Sequence, residues 1–316
     1  MKYILGLSKQ DLKLSKFEIL EFFRLKKSEN KKELMIINLN DKKIKEIKKL
    51  AYTNYTCEVL FESSMKELIE KIEKYNWQKH YKKNYCVRNI GINISKEKKF
   101  ADIIWNKLKK PKVDLRNAIT EFMFIKFGSK VLGTKLIWKN PKEFLQRKAH
   151  LRPELHPSSL DPRLAKACVN IAVGYSKSKV LDPFCGTCGI LIEAGLLNHK
   201  VIGCDLDVIM ARKGVINIEH YNIENYEIGL RNALEFNEKV NAIVTDIPYG
   251  KNTKAKDIEK VVKKFLENAR KFSKKVVIMF PSEIKYKKLV GKWKIKAEFN
   301  HYLHKSLSKK VVVLKK

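Results

Sequence analysis

The strongest constraint on the fold is the alternation of apolar strands with helical segments in the second half of the chain. From residue 179 onwards, five short apolar segments are separated by stretches with helical periodicity. They are residues 179–182, 200–204, 226–230, 242–245 and 275–280. Near-continuous apolar strands that alternate with helices are typical of a parallel sheet covered by helices on both faces. We therefore predict an α/β fold with a mostly parallel sheet.

The two ends of the chain depart from this pattern. Residues 294–302 and 310–314 are apolar segments joined by a short polar stretch, a spacing that permits only an antiparallel pair. In the first half, short strands and helices alternate, with a predicted capping box at Ser15 and Glu18 and a predicted hairpin around residues 128–130. We expect an α+β region at the N-terminus and a terminal antiparallel hairpin in the C-terminal sheet.

Prolines and capping residues mark the joins between these regions. Residues 140–156 contain two prolines with basic residues between them, and we predict that they form a linker. Asp161 and Pro162 follow, and these residue types are typical of a helix N-cap and first helical position. A second join near Ser63 divides the first half. The predicted segments are residues 1–62, 63–139, 140–156 and 157–316.

Charge is distributed unevenly along the chain. Its 316 residues include 67 Lys and Arg against 34 Asp and Glu, a formal net charge of +33. Residues 1–150 carry a net charge of +19 and residues 251–316 carry +16, whereas residues 151–250 carry −2. A genomic lysine bias would not spare the middle of the chain. The charge therefore indicates a polyanionic partner, and we predict nucleic acid.

Cysteine spacing and the length of the apolar stretches restrict which metal-binding, disulfide-rich and membrane protein classes fit the chain. The six cysteines are scattered, and the single CxxC pair, Cys185 and Cys188, lacks the further ligands of a zinc site. The pair could be two packed thiols or a disulfide, and the sequence is compatible with both alternatives. No apolar stretch is long enough for a membrane helix or a signal peptide. We expect no metal, no membrane, a cytoplasmic location, and a monomer as the simplest state.

A strand, a glycine turn and a helix form the first chemical motif, VLDPFCGTCG, which ends at Gly189. Glycine lets the backbone approach a ligand, and the N-terminus of the following helix favours an anion. Asp205 stands 19 residues after Gly186, at the tip of the next strand. Dinucleotide-type folds hold a ribose hydroxyl at this position. An ordinary tight turn is the alternative, but the combination indicates a cofactor site.

The fourth parallel strand ends in the second motif, Asp246-Ile247-Pro248-Tyr249. Proline ends the strand ladder there, and Gly250 permits a turn. A carboxylate, an aromatic ring and backbone carbonyls are therefore expected at the carboxyl edge of the sheet, where open α/β folds bind ligands. For this motif alone, a simple strand-to-loop transition is the alternative.

Together, the two motifs resemble those of class I S-adenosylmethionine-dependent methyltransferases that modify exocyclic amino groups. In that family, a strand ending in D-x-F-x-G-x-G holds the cofactor, and a later [DN]-[PIL]-P-[YFW] motif holds the target amine. The resemblance implies a Rossmann-like methyltransferase domain at residues 157–316 with S-adenosylmethionine as cofactor. Cys188 stands where the family usually has glycine, and Ile247 where it usually has proline.

The segment RPELHPSSLDPRLAK, from Arg152 to Lys166, narrows this resemblance. With the two motifs, it is similar to archaeal and eukaryotic THUMP-domain tRNA guanine-N2 methyltransferases that act on tRNA position ten. The similarity implies a ferredoxin-like module at residues 1–62, a THUMP-like RNA-binding domain at residues 63–139, and tRNA as partner.

The resemblance also implies roles for individual residues. Asp246 and the Ile247 carbonyl would hold the amine, with Pro248 completing the motif and Tyr249 stacking on an extruded base. Ser158 and Ser159 would lie near the methionine end of the cofactor. The implied cofactor-binding residues are Asp182, Phe184, Gly186, Thr187, Gly189, Asp205 and Asn232.

Other functions stay open on sequence alone. Methylation of guanine N2 at another tRNA or rRNA position would use the same site. An N6-adenine methyltransferase shares the DxPY chemistry, although it would need a DNA-reading domain. The non-enzyme alternative is a tRNA-binding protein with an inactive catalytic domain, and the intact Asp205 and Asp246 argue against it. The sequence does not distinguish one methylation from two, or show whether an activator subunit is needed.

Overall fold

The computed structural model describes residues 1–156, 159–247, 255–304 and 307–316. The chain divides into two compact units that interleave along the sequence. The first unit comprises Met1–Leu12, Lys26–Lys48 and Thr53–Pro141, and the second comprises Lys13–Leu25, Lys49–Tyr52 and Lys142–Lys316. Two N-terminal segments therefore fold with the C-terminal half of the chain.

A seven-stranded sheet forms the centre of the first unit. Its strands are β1 (Lys2–Leu7), β2 (Glu29–Lys31), β3 (Leu34–Asn38), β4 (Thr53–Ser64), β5 (Tyr85–Ile90), β6 (Thr120–Phe127) and β7 (Lys130–Lys139). Helix α1 (Leu12–Phe23) lies almost wholly in the second unit, and the helices of the first unit are α2 (Asp41–Ile44), α3 (Leu68–Lys74) and α4 (Lys96–Trp105). The strand order is β2-β3-β1-β4-β7-β6-β5, with β5 and β6 parallel and the other neighbours antiparallel.

The first unit contains the predicted hairpin. β6 and β7 pair in antiparallel register around Gly128, whose φ of 67° suits the turn. β4 continues across residue 62, so strands from residues 1–62 and from residues 63–139 share one sheet. The ferredoxin-like and THUMP-like assignments of these two segments stay predictions.

The capping box predicted at Ser15 and Glu18 is wrong. α1 begins at Leu12, and both side chains are fully buried inside the helix. The Glu18 carboxylate instead accepts hydrogen bonds from the backbone nitrogens of Ala51 and Tyr52, at 2.7 and 3.0 Å. A buried carboxylate needs such donors, and here they come from another segment of the second unit.

The second unit has the predicted mostly parallel sheet. Its strands are β8 (Lys179–Asp182), β9 (Lys200–Asp205), β10 (Tyr226–Leu230), β11 (Ala242–Asp246), β12 (Lys275–Pro281), β13 (Lys294–His304) and β14 (Leu307–Lys315). Its further helices are α5 (Pro162–Val173), α6 (Gly189–Leu196), α7 (Val208–His220) and α8 (Ala255–Ala269). The order is β10-β9-β8-β11-β12-β14-β13: the first five strands are parallel, and β14 pairs antiparallel with β12 and β13. The predicted α/β fold and terminal hairpin are confirmed.

Alternate residues of the central strands enter two different cores. Val180 and Val244 pack in the core that includes residues of α1, α5 and α6, whereas Leu181 and Ile243 pack in the core with Phe265 of α8. All four strand residues are fully buried. This explains why the parallel strands are apolar throughout rather than alternating.

α5 begins as predicted at the Asp161 N-cap. The Asp161 carboxylate accepts hydrogen bonds from the backbone nitrogens of Arg163 and Leu164, at 3.0 and 3.2 Å, and Pro162 occupies the first turn. The cap satisfies two of the backbone donors that a helix start leaves unpaired.

Three parallel strands end in aspartate. Asp182, Asp205 and Asp246 are the last residues of β8, β9 and β11. The carboxyl ends of parallel strands meet at one edge of a sheet, and β8 lies between β9 and β11. Three acidic side chains therefore gather at the edge where α/β folds bind ligands.

Candidate active site

The glycine turn after β8 meets the acid at the end of β9. The backbone nitrogen of Gly186 donates to Asp205 Oδ2 at 2.8 Å, and that of Asp207 donates to Oδ1 at 3.0 Å. Gly186 has a φ of 49°, in the left-handed region that favours glycine. A carboxylate has roughly four acceptor positions, so these two bonds leave Asp205 able to accept hydroxyl donors from a ligand.

Cys188 ends the same turn in an unusual conformation. Its φ is 64°, and it is the N-cap residue of α6. A side chain rarely adopts this conformation, so glycine is the residue that the backbone favours at this position. Gly214 of α7 provides the space: a Cβ at Gly214 would lie 2.5 Å from Cys188 Sγ and 2.9 Å from the Gly186 carbonyl oxygen. Cys188 and Gly214 thus form a complementary pair.

The CxxC pair consists of free thiols. Cys185 and Cys188 are both buried, and no disulfide bond joins them. A hydrogen bond with Cys188, together with burial, raises the pKa of the Cys185 thiol. A raised pKa keeps the thiol protonated and poorly reactive, so these residues act as packing groups of the turn.

Asp182 joins the two sequence motifs. Its Oδ1 accepts hydrogen bonds from the Thr245 hydroxyl at 2.7 Å and from the backbone nitrogen of Phe184 at 3.2 Å. Burial raises the pKa of Asp182 to about 7, against the opposing effect of these two hydrogen bonds. Because Thr245 precedes Asp246, the bond to Thr245 holds the end of β8 against the end of β11.

Asp246 has one paired and one unpaired carboxylate oxygen. Oδ2 forms an ion pair with the ammonium group of Lys309 on β14. Oδ1 is buried and has no hydrogen-bond partner within the part of the chain that the structure describes. Burial raises the pKa of Asp246, and Lys309 opposes this rise. A buried acceptor without a partner is costly, so this oxygen is suited to an N–H donor from a ligand.

The rest of the second motif is only partly described. The backbone nitrogen of Ile247 donates to the Met279 carbonyl at 3.3 Å, and the Ile247 side chain is buried. Pro248 and Tyr249 lie outside the described residues, as does Ser158 of the preceding segment. Their predicted roles therefore stay predictions.

Three further predicted cofactor residues lie in the segment from β8 to the start of α6, and a fourth, Asn232, follows β10. The Thr187 hydroxyl is 3.1 Å from that of Ser159, which brings the turn and the preceding segment together. Gly189 is the first residue of α6, and the Phe184 ring packs edge-on against Phe265. Asn232 follows β10 and caps a short helical turn, accepting from the Leu234 backbone nitrogen at 3.0 Å.

Sequence reasoning missed three residues of this site. Thr245 and Gly214 matter through their contacts with Asp182 and Cys188, and Lys309 through its ion pair with Asp246. Lys309 belongs to a set of 67 Lys and Arg residues and has no motif around it. Its position opposite Asp246 depends on strand order, which no local pattern reports.

Within residues 1–156, 159–247, 255–304 and 307–316, no group of three His, Cys, Asp or Glu side chains is arranged to hold a metal ion. Over the same ranges, no helix combines the length and the apolar character needed to cross a bilayer.

Comparison with known proteins places the chain in a family. The profile of the family described as RMKL-like, methyltransferase domain, matches residues 149–309. The tRNA (guanine(10)-N2)-dimethyltransferase of Methanothermobacter thermautotrophicus is 30% identical over 282 residues, covering 85% of this chain and 84% of that relative. The chain belongs to the RMKL-like methyltransferase family. The matched region of the family includes the glycine turn, Asp246 and Lys309.

Two further matches characterise this methyltransferase. The tRNA (guanine(10)-N2)-dimethyltransferase of Methanocaldococcus jannaschii is 39% identical over 223 residues, which cover 66% of this chain and 59% of that relative. A second profile, described as DNA methylase, matches residues 12–208. Both profiles describe methyl transfer, so the reaction class of the family is consistent between them.

The fold of this methyltransferase also resembles a solved structure. TrmN from Thermus thermophilus aligns with a TM-score of 0.56 and 17% identity, covering 100% of each chain. At this identity the likeness concerns the fold alone.

Proposed function

We propose that this methyltransferase transfers methyl groups from S-adenosylmethionine to the exocyclic N2 of a guanine in tRNA, at position ten. Oδ1 of Asp246 carries the proposal, because it is a buried acceptor without a partner among the described residues, at the ligand-binding edge of the sheet. An exocyclic amine supplies the N–H donor that this oxygen lacks. The names of the two archaeal relatives support guanine N2 of tRNA as the amine and two methylations as the outcome.

The residues around the glycine turn fit S-adenosylmethionine. Asp205 retains acceptor capacity for ribose hydroxyls, and the left-handed Gly186 brings backbone close to the ligand position. Thr187 and Ser159 bring two hydroxyls together beside the start of α6 for the methionine end. Asp182, being almost fully buried, orients the turn rather than offering a large contact surface. When bound, the cofactor supplies an electrophilic methyl group.

The protein's part in the reaction is to orient a poor nucleophile. The lone pair of a guanine amino group is delocalised into the ring. We assign Asp246 Oδ1 and the Ile247 carbonyl as the acceptors of its two N–H groups, which aims the nitrogen at the methyl carbon. The bound cofactor would supply the methyl group, and these two acceptors would hold the amine towards it. The Asp246 carboxylate would favour the positive charge that develops on the nitrogen.

Charge distribution supports a long polyanionic substrate. Residues 1–150, most of which form the first unit, carry a net charge of +19, and residues 151–250, which contain both motifs, carry −2. Phosphate contacts position a nucleic acid without reading its sequence. We therefore assign tRNA positioning to the basic N-terminal region and amine selection to the motifs.

An unmodified tRNA transcript with guanine at position ten tests the proposal. After incubation with labelled S-adenosylmethionine, nuclease digestion and chromatography should place the label in N2-methylguanosine and N2,N2-dimethylguanosine. A transcript with adenine at position ten is the matched control and should stay unlabelled. Label in the control would overturn the assignment of position ten. In a parallel incubation with duplex DNA, label in N6-methyladenine and none in tRNA would favour an N6-adenine methyltransferase, which the DNA methylase match supports.

A further inference from the structure

Lys309 reaches Asp246, the residue to which we assign the target amine, from a strand that does not adjoin β11. In the antiparallel pair of β12 and β14, Lys309 lies opposite Pro281, and in the parallel pair of β11 and β12, Asp246 lies opposite Met279. The Lys309 side chain therefore extends past the end of β12 to ion-pair with Asp246. The two side chains are 13% and 15% exposed, so the pair is largely shielded from water.

Two further strand-end carboxyl groups lie at the same edge of the sheet as Asp246. Asp182 on β8 is linked to β11 through Thr245, and Asp205 on β9 lies beyond Asp182. Met279, opposite Asp246 on β12, is uncharged. Among the side chains that the structure describes, Lys309 is the one base in an ion pair with Asp246. Burial favours the protonated carboxyl of Asp246, and the Lys309 ammonium favours the ionised form.

We propose that Lys309 is a positioning residue of the methyltransferase, which keeps Asp246 ionised and leaves its Oδ1 free for the target amine. This inference rests on the proposed function. The ammonium occupies Oδ2, which holds the carboxylate in one orientation and leaves Oδ1 as the remaining acceptor. A protonated Asp246 would be a weaker acceptor and would not favour the positive charge on nitrogen.

Lys309→Met tests this role, and Lys310→Met is its matched control. Lys310 is the next residue of the same strand, and its ammonium lies 5.6 Å from the centre of the Tyr286 ring instead of at Asp246. Both substitutions remove one positive charge, so the two variants have the same net charge. Lys309→Arg keeps the charge. Thermal unfolding and cofactor affinity should be measured for each variant, so that a folding defect is recognised.

The pH dependence of kcat is the decisive activity measurement. An opposite charge in direct contact lowers a carboxyl pKa by about 1 to 3 units. Lys309→Met should therefore move the acid limb of the kcat–pH profile upward by about one pH unit or more. Below both midpoints, its kcat should be about tenfold lower than that of the wild type, and the deficit should shrink at higher pH. Lys310→Met and Lys309→Arg should keep the wild-type midpoint. An unmoved acid limb in Lys309→Met, or the same shift in Lys310→Met, would overturn the proposal.

A second measurement separates this inference from the proposed function. The Asp246 carboxyl carbon can be followed by carbon-13 NMR during a pH titration of the protein without tRNA. Its midpoint should rise in Lys309→Met and stay in place in Lys310→Met, whichever nucleic acid is the substrate. A midpoint equal to that of the wild type would reject the role of Lys309 even if tRNA is methylated. Failure of the wild type to methylate tRNA, with the NMR shift present, would reject the proposed substrate alone.

Discussion

Glu18 of α1 and Asn170 of α5 are hydrogen-bonded in the core of the second unit, although 152 residues separate them. The Asn170 amide donates to Glu18 Oε1 at 2.6 Å, and the backbone nitrogens of Ala51 and Tyr52 donate to the same carboxylate. One fully buried side chain thus joins two N-terminal segments to the first helix of the methyltransferase region.

Glu18→Ala is expected to lower the stability of the second unit by about 3 kcal/mol, because it leaves three buried donors without their acceptor. The midpoint of thermal or denaturant unfolding measures the effect. Lys13→Ala, at an exposed position of the same helix, is the control and should leave the midpoint nearly unchanged. Equal midpoints for the two variants would show that the Glu18 contacts contribute nothing.

Substitutions of Asp246 and Asp205 should separate catalysis from cofactor binding. Asp246→Ala should lower kcat by about a hundredfold or more, since the amine loses a charged acceptor, while cofactor affinity stays near that of the wild type. Asp205→Ala should instead weaken cofactor binding strongly. Calorimetry and steady-state kinetics on both variants decide the matter. Loss of cofactor binding in Asp246→Ala would remove this residue from the amine site.

Gly214→Ala should weaken cofactor binding and lower stability. The new Cβ would meet Cys188 Sγ at 2.5 Å and the Gly186 carbonyl at 2.9 Å, so the cofactor turn must shift. Adding Cys188→Gly should restore part of the affinity, since it removes the closer contact. Gly229→Ala is the control, because a Cβ there meets its nearest atom, Arg231 Nε, at 3.8 Å. Unchanged cofactor affinity in Gly214→Ala would contradict the conclusion that Gly214 provides the space for Cys188 in the turn.

The buried His199 predicts a loss of stability in acid. Burial, reinforced by Lys49, lowers the pKa of His199 to about 4, below the ordinary 6.5 of the unfolded chain. Between these values the unfolded chain binds more protons, so stability falls as the pH drops from 6.5 to 4, by about 3 kcal/mol in total. His199→Gln should remove this component.

The difference between the wild-type and His199→Gln stability curves isolates this effect. Asp182 has a raised pKa and therefore acts with the opposite sign, gaining relative stability as the pH falls below about 7. Because it is present in both proteins, its contribution cancels in the difference. A difference that does not change with pH would show that His199 titrates normally.

Binding to tRNA should depend steeply on salt. If the +19 net charge of residues 1–150 neutralises several phosphates, affinity should fall by on the order of a thousandfold between about 50 and 200 mM salt. Cofactor affinity, measured in the same buffers, should change little and serves as the internal control. A tRNA dissociation constant that is independent of salt would contradict electrostatic positioning.

Much of the second unit follows from local patterns. Apolar runs of strand length, the Asp161 N-cap and the short link between β13 and β14 predict the parallel sheet and its terminal hairpin. The contact between Gly186 and Asp205 was also predictable, because consecutive parallel strands place their carboxyl ends together. Such features depend on residues within one strand–helix–strand unit.

Local patterns specify the strand–helix alternation and the two motifs, whereas packing between distant segments sets the surroundings of Asp246 and Glu18. The spacing of Ser15 and Glu18 is that of a capping box, but burial of α1 gives Glu18 partners from other segments. Lys309 meets Asp246 because β14 is placed next to β12 and antiparallel to it. The physical reason is that a buried charge is stabilised by whichever donor or counter-ion packing brings near, and packing between distant segments leaves no periodic signal in the sequence.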